Sequence, residues 1–346
     1  MGSPKQLLRL GQKTLLEHAI DHVQSSQVDE IIVVLGSAAE TIRSRISTAP
    51  NIRIVLNEDF QSGMGSSLKR GLAEISPASR ATLVVLGDQP MVKSETLNRL
   101  MDEYRRHKPQ ILIPLYRGFR GNPVLLDRSV FPEIAGLSGD TGCRAIFGDH
   151  LENIRKFEVD DAGVLLDADR PEDLAELERT YATGQFDLPV LEMVKTSEGG
   201  QPEVVIVGRE SIATALVRIA HLLDWRVTVV DPLLTSKEMP EASAILRVMD
   251  FTKLPAAERR FCVVASMGRF DEEAIEQALA VDIPYIALVA NKKRSHEVLQ
   301  SLRLRGFFAD RLAGVRTKPG LSIGAQTPPE IALSIMAEIV GELRDL

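Results

Sequence analysis

The tetrapeptide Gly87-Asp88-Gln89-Pro90 closes an apolar run, TLVVL. A carboxylate at the C-terminal end of a buried strand sits where open α/β sheets bind ligands. Asp88 could hold a hard divalent cation that bridges phosphate oxygens, or it could cap the next turn. Upstream, NEDFQSGMGSSLKRGL places Asn57 at the end of another apolar run and Gly63, Gly65, Ser66 and Ser67 at a helix start. Such a loop offers backbone N–H groups at the positive end of a helix dipole, suited to phosphate or a nucleobase edge. Turn glycines with a serine N-cap are the plainer reading. Downstream, RGFRGNPVLL supplies the donors Arg117, Arg120 and Asn122, and LSGDTGCR supplies Asp140 and Arg144. The last two are spaced i,i+4, which also serves as local helix support. Together, two carboxylates, a Gly/Ser loop, a lysine and several arginines meet the needs of nucleotidyl transfer. That chemistry asks the protein to orient phosphates and neutralise charge through Mg2+ and cationic side chains.

A second constellation lies in EVVIVGRESIATALVRIAHLLDWRVTVVD, a strand, turn, helix and strand ending at Asp231. The span from Gly208 to Asp231 fits a dinucleotide-binding βαβ unit with its ribose-binding acid. Glu210, however, stands where the second glycine should let pyrophosphate approach, and its carboxylate repels a phosphate at a helix N-terminus. The pattern therefore predicts a Rossmann-shaped domain that binds no dinucleotide.

These residues need a scaffold. Apolar runs at 30–36, 52–57, 82–88 and 110–115 read as strands, with helical patterns at 14–25, 38–47, 64–75 and 94–107 between them. Alternation restarts with strands at 203–208, 226–231, 260–266 and 285–290, helices at 210–223 and 328–344, and an aperiodic linker at 184–202. Runs of Val, Ile and Leu without alternation fit strands covered on both faces. The expected class is α/β: two Rossmann-like domains, each a mostly parallel sheet flanked by helices. The chain has 346 residues and a net charge of -7, which argues against nucleic acid as a partner. No apolar run reaches the ~18 residues of a membrane span, and no signal-peptide pattern is visible. Two distant cysteines, Cys143 and Cys262, exclude a disulfide framework and fit a cytoplasmic protein.

In order along residues 1–174, MGSPKQLL, NEDFQSGMGSSLKRGL, VVLGDQP, RGNPVLL, LSGDTGCR and DADRPEDL resemble the MobA-like nucleotidyltransferases, and their molybdenum cofactor cytidylyltransferase branch in particular. The resemblance implies a Rossmann-like domain over 1–183 that transfers CMP from CTP to a molybdopterin-type cofactor and releases pyrophosphate. It implies that Lys5 contacts triphosphate, that Asp88 holds Mg2+, and that Asp140 is a second acidic, metal-side residue. Gly2, Asn57, Gly63, Ser66, Ser67, Gln89, Arg120, Asn122 and Arg144 would line the nucleotide and substrate pocket. Of the family's opening strand and glycine-rich loop, only Met1-Gly2, Pro4 and Lys5 have counterparts. A domain lacking that central strand would carry two open strand edges.

Residues 203–346 resemble the C-terminal domain of XdhC/CoxI-type factors that mature molybdenum hydroxylases. The resemblance rests on VVIVGRESIATALVRIAHLLDWRVTVVDP, VVASMGRFDEEAIEQAL, YIALVANKKRSHEVLQSL and KPGLSIGAQTPPEIALSIMAEIV. It implies a cleft near Gly208, Asp231, Gly320 and Gly324 and an apo molybdenum hydroxylase as partner. The competing expectation is a non-catalytic accessory protein that binds molybdenum cofactor and presents it to such a hydroxylase.

Overall fold

The β-branched runs form strands and the amphipathic segments between them form helices. In the computed structural model, residues 5–46, 49–137, 142–168, 171–183, 188–195 and 201–344 are described. The chain divides into two compact units, Met1–Tyr116 with Arg120–Phe186, and Arg117–Phe119 with Asp187–Leu346.

The first unit opens with a hairpin, β1 (Arg9–Leu10) and β2 (Lys13–Thr14), that feeds α1 (Leu15–Gln24). Thr14 and Glu17 close a reciprocal capping box at the start of α1. There follow β3 (Ile31–Leu35), α2 (Ala39–Arg43), β4 (Ile52–Leu56), α3 (Met64–Ala73), β5 (Ala81–Val84), α4 (Ser94–His107), β6 (Ile111–Tyr116) and β7 (Phe119–Arg120). β8 (Val124–Asp127), α5 (Phe131–Gly136), β9 (Ile154–Glu158) and α6 (Pro171–Thr183) complete it. β3 and β4 pair in parallel. The larger sheet runs β5-β8-β6-β7, with β9 parallel to β6. α3 packs Leu68 and Leu72 over one group of its side chains, Ile113 and Leu126 among them. α4 sets Leu100 against Leu112 and Leu125, which alternate with that group and so point from the opposite face.

Two details differ from the sequence reading. β8 enters antiparallel to both β5 and β6, so this sheet is mixed. The β5–β8 ladder ends at Val84 opposite Val124. The strand expected to reach residue 88 therefore stops at Val84, and Asp88 stands in the turn beyond it. Among the described residues β3 pairs only with β4 and β5 only with β8. Glu30 draws the starts of β3 and β5 together by accepting from the Ser76 N–H (2.9 Å) and the Ser79 hydroxyl (2.8 Å).

The second unit holds β10 (Leu191–Met193), β11 (Glu203–Val207), α7 (Ser211–Leu222), β12 (Arg226–Val230), β13 (Ala244–Leu246) and β14 (Arg260–Val264). α8 (Asp271–Ala280), β15 (Tyr285–Leu288), α9 (Lys292–Leu304), α10 (Ala309–Ala313), β16 (Val315–Arg316) and α11 (Pro328–Leu343) follow. The sheet order is β10-β13-β12-β11-β14-β15-β16, with β10 antiparallel to β13 and the other pairs parallel. Val204, Val205, Ile206 and Val207 are all buried, which explains the unbroken apolar run. α7 and α11 lay Leu216, Val217, Ile335 and Ile339 over one face. The segment read as a linker thus contains an edge strand, and Arg247 fastens it. This fully buried guanidinium donates to the carbonyls of Leu234 (2.7 Å) and Pro189 (3.0 Å) and to the Glu192 carboxylate (2.5 Å). At the start of β11, buried Glu203 accepts from the Thr228 hydroxyl (2.6 Å) and Arg260 Nε (2.7 Å).

Candidate functional site

The carboxyl ends of the first unit's strands gather the polar residues singled out from sequence. Asn57 follows β4, and its N–H donates to the Leu35 carbonyl at the end of β3 (2.8 Å). Its buried amide donates to the hydroxyls of Ser66 (2.9 Å) and Ser67 (3.0 Å), and its Oδ1 accepts from the Asp59 N–H (3.1 Å). Asn57 is therefore spent on shaping the loop. Ser66 in turn donates to the Gly63 carbonyl (2.9 Å). Gly63 occupies the N-cap of α3 with φ +100°, a conformation that favours glycine, and no side chain caps the helix there. A side chain on Gly142 would lie 3.2 Å from Met64 Sδ, so the loop leading to Arg144 abuts the start of α3.

Asp88 projects from the turn after β5 and receives Lys5 Nζ at 3.5 Å, with 19% of its side chain exposed. Gln89, next to it, is buried, and its Oε1 has no partner among the described residues. Arg120 lies over the Phe147 ring at 5.9 Å. Arg144 opens the 3-10 stretch Cys143–Asn153. Burial pushes the Cys143 thiol up to about 11, against the lowering pull of the Arg144 and Arg120 charges. Asn122, at the start of β8, enters a cis bond to Pro123 and donates its N–H to the Val164 carbonyl (2.9 Å). Gly2 and Asp140 lie outside the described residues.

One contributor was not foreseen. Asp161, buried, accepts through Oδ2 from the Lys93 N–H (3.0 Å) and the Thr96 hydroxyl (2.6 Å), and through Oδ1 from the Gly163 N–H (3.0 Å). Lys93 is the N-cap of α4 and provides no side-chain cap of its own. The local Asp-Ala-Gly sequence signals an Asx turn, but its partners on α4 are remote in sequence.

The second unit gives its expected residues other employment. Gly208 has φ +110°, and a side chain there would meet the Ala265 carbonyl at 2.7 Å, so glycine is required by the crossing of two loops. Asp231 is 1% exposed, and its Oδ1 accepts from the Leu233 N–H (3.0 Å). Glu210 is the N-cap residue of α7 without a side-chain cap bond. Gly320 lies against Ser334 and Ile335 of α11 and donates its N–H to Glu338. Gly324 has φ +74° with open space around it. No described hydrogen bond joins Gly208 or Asp231 to the Gly320–Gly324 loop.

An Asp–Lys pair beyond one strand and an uncapped Gly/Ser helix start beyond another fit a nucleotidyltransferase-type α/β domain. Residues 1–154 match the family model of the MobA-like NTP transferase domain, and residues 204–339 match that of the XdhC Rossmann domain. The chain belongs to the MobA-like NTP transferase family and carries an XdhC Rossmann domain behind that module. It is 33% identical over 153 residues to nicotine blue oxidoreductase of Paenarthrobacter nicotinovorans, covering 41% of this chain and 71% of that protein. It is 28% identical over 149 residues to the uncharacterized protein YqeB of Escherichia coli, covering 41% of this chain and only 27% of that protein. Among solved structures, the homologue of Mycobacterium tuberculosis Rv0371c from Mycobacterium sp. strain JC1 is 28% identical, with TM-score 0.47, covering 54% of this chain and 91% of that one. Among the described residues, no helix is long and apolar enough to cross a membrane.

Proposed function

We propose that the first unit is a Mg2+-dependent nucleotidyltransferase that moves CMP from CTP to the phosphate of a molybdopterin-type cofactor and releases pyrophosphate. On this reading the second unit receives the product and hands it to an apo molybdenum hydroxylase. The observation that carries the proposal is the Lys5–Asp88 pair, 3.5 Å apart at the turn beyond β5. The donor set suits the metal. No group of three or more potential ligands occurs among the described residues, and Mg2+ is commonly held by one or two carboxylates, its own waters and substrate phosphates. Asp88 would hold the ion, with Asp140 as the other candidate, and the bound ion would neutralise charge on the phosphate oxygens.

The chain's own groups do the rest. Lys5 orients the triphosphate and offsets charge that builds on the departing pyrophosphate. Ser67 accepts from Asn57, which leaves its hydroxyl hydrogen for the ligand. Arg120, Asn122 and Arg144 would bind the acceptor. A cofactor phosphate oxygen attacks the α-phosphorus in line, forming a new P–O bond as the bond to the β-phosphate oxygen breaks. No covalent enzyme intermediate is required.

The test is pyrophosphate release by the full chain from CTP, Mg2+ and molybdopterin, with GTP and ATP run in parallel. Release with CTP supports the proposal. Cofactor binding without release would instead establish the accessory role. Because a relative carries an oxidoreductase name, NAD(P)H oxidation should be followed in the same samples, and no oxidation is expected.

A further inference from the structure

The turn Asp161–Val164 touches both loops that carry the candidate site. Strand β9 delivers it. β9 runs parallel to β6 with Glu158 opposite Leu115, and the next N–H, of Val159, continues to the Leu115 carbonyl (2.8 Å). The turn therefore starts at the same sheet edge as the Asp88 loop.

On one side, the Asp161 carboxylate caps α4 from 68 residues away through the Lys93 N–H, and it also takes the Thr96 hydroxyl. A carboxylate at a helix N-terminus is favoured by the dipole and satisfies a donor that has no partner within the helix. Beside it, Gly163 sits flush on the Asp88 loop. A Cβ at Gly163 would lie 2.2 Å from the Met91 carbonyl oxygen and 2.9 Å from the Val92 nitrogen. On the other side, the Val164 carbonyl accepts the Asn122 N–H (2.9 Å), and a Cβ on Gly121 would lie 2.6 Å from Val164. Each contact is too close to tolerate an added methyl group without a shift of backbone.

We infer that Asp161 is a positioning residue for nucleotidyl transfer: its turn clamps the Asp88–Gln89 loop to the Asn122 loop and so fixes the metal-side carboxylate relative to the acceptor-side amide. The inference rests on the transferase reading for its catalytic part and on the hydrogen bonds alone for its mechanical part. Its physical basis is that a displacement of about 1 Å at a reacting centre costs on the order of a hundredfold in rate. A cap that only stabilised α4 would alter stability and leave the chemistry alone.

The experiment compares Asp161→Asn, the milder Thr96→Val, and Asn291→Ala in the full chain. Asn291→Ala removes the side-chain cap of α9, in the second unit. The readouts are amide hydrogen exchange at residues 87–93 and 121–122, and kcat and KM for CTP. Asp161→Asn should speed exchange at both loops at least tenfold and lower kcat about thirtyfold, with KM for CTP within about threefold. Thr96→Val should show a smaller effect of the same kind, and Asn291→Ala should leave both readouts at the wild-type value. Unchanged exchange in Asp161→Asn overturns the clamp. Faster exchange with unchanged kcat overturns the positioning role. If the wild type releases no pyrophosphate, the transferase reading fails by itself, and exchange still decides whether the clamp exists. If Asp161→Asn does not fold, Thr96→Val carries the same two readouts.

Discussion

At the carboxyl ends of its strands the first unit leaves Asp88 part-exposed and α3 uncapped, whereas the second unit encloses Asp231 and packs Gly208 against the Ala265 carbonyl. Both are sheets of apolar strands with helices on their faces. The difference lies in what occupies the first residues beyond each strand. In the first unit, the β5–β8 ladder ends at Val84 and the chain continues into the turn that carries Asp88. In the second, Leu233 folds back so that its N–H donates to Asp231 Oδ1. A shared strand–helix outline therefore says little about ligand binding until the bonds of the loop residues are assigned.

This contrast can be broken most sharply at Asp88. Asp88→Asn should lower pyrophosphate release by at least about a thousandfold, the scale expected when a charge-neutralising group is lost. The same assay on Asp231→Asn should give the wild-type rate, and activity surviving in Asp88→Asn would remove the metal role. Next in size is a stability effect confined to the second unit. Glu203→Ala leaves Arg260 without its carboxylate partner and should cost about 3–5 kcal/mol, read by chemical denaturation, with kcat unchanged.

Gly208→Ala should cost on the order of 1–3 kcal/mol, because φ +110° and the Ala265 carbonyl both oppose a methyl group. If Gly208 served a dinucleotide instead, the variant would lose a binding isotherm. Titration of the wild type with NAD(P) is expected to show no saturation. The smallest effect concerns pH. Burial holds the Cys143 thiol near 11 and the Cys262 thiol near 12, above the ordinary value of 9.0. Between about pH 9 and 11 the folded state therefore keeps protons that the unfolded chain has released, and stability falls as pH rises. At pH 8 both thiols should react with a disulfide reagent far more slowly in native protein than in denaturant.

Much of the candidate site was legible because its chemistry is local. Asn57, Gly63, Ser66 and Ser67 lie within one strand–loop–helix passage, and the structure joins them by direct hydrogen bonds. Lys5 and Asp88 are separated by 83 residues; the family resemblance named each with its own role, and their 3.5 Å pairing is seen only in the structure. Asp161 escaped notice because the helix it caps already begins with a plausible local start, Lys93-Ser94. The antiparallel direction of β8 escaped because VLLD is too short to declare one. β10 escaped because LEM lacks the apolar run that marks a central strand; its place is set by Arg247, whose guanidinium pattern shows no helical or strand period.

That arginine decides where the molecule can be cut. A fragment beginning at Glu203 keeps the Leu234 carbonyl but deletes Pro189 and Glu192, two of the acceptors that hold the Arg247 guanidinium. A fragment beginning at residue 188 retains the full set of acceptors. Anyone separating the two units by truncation should therefore place the scissors on the far side of β10, where the sequence alone had drawn only a tether.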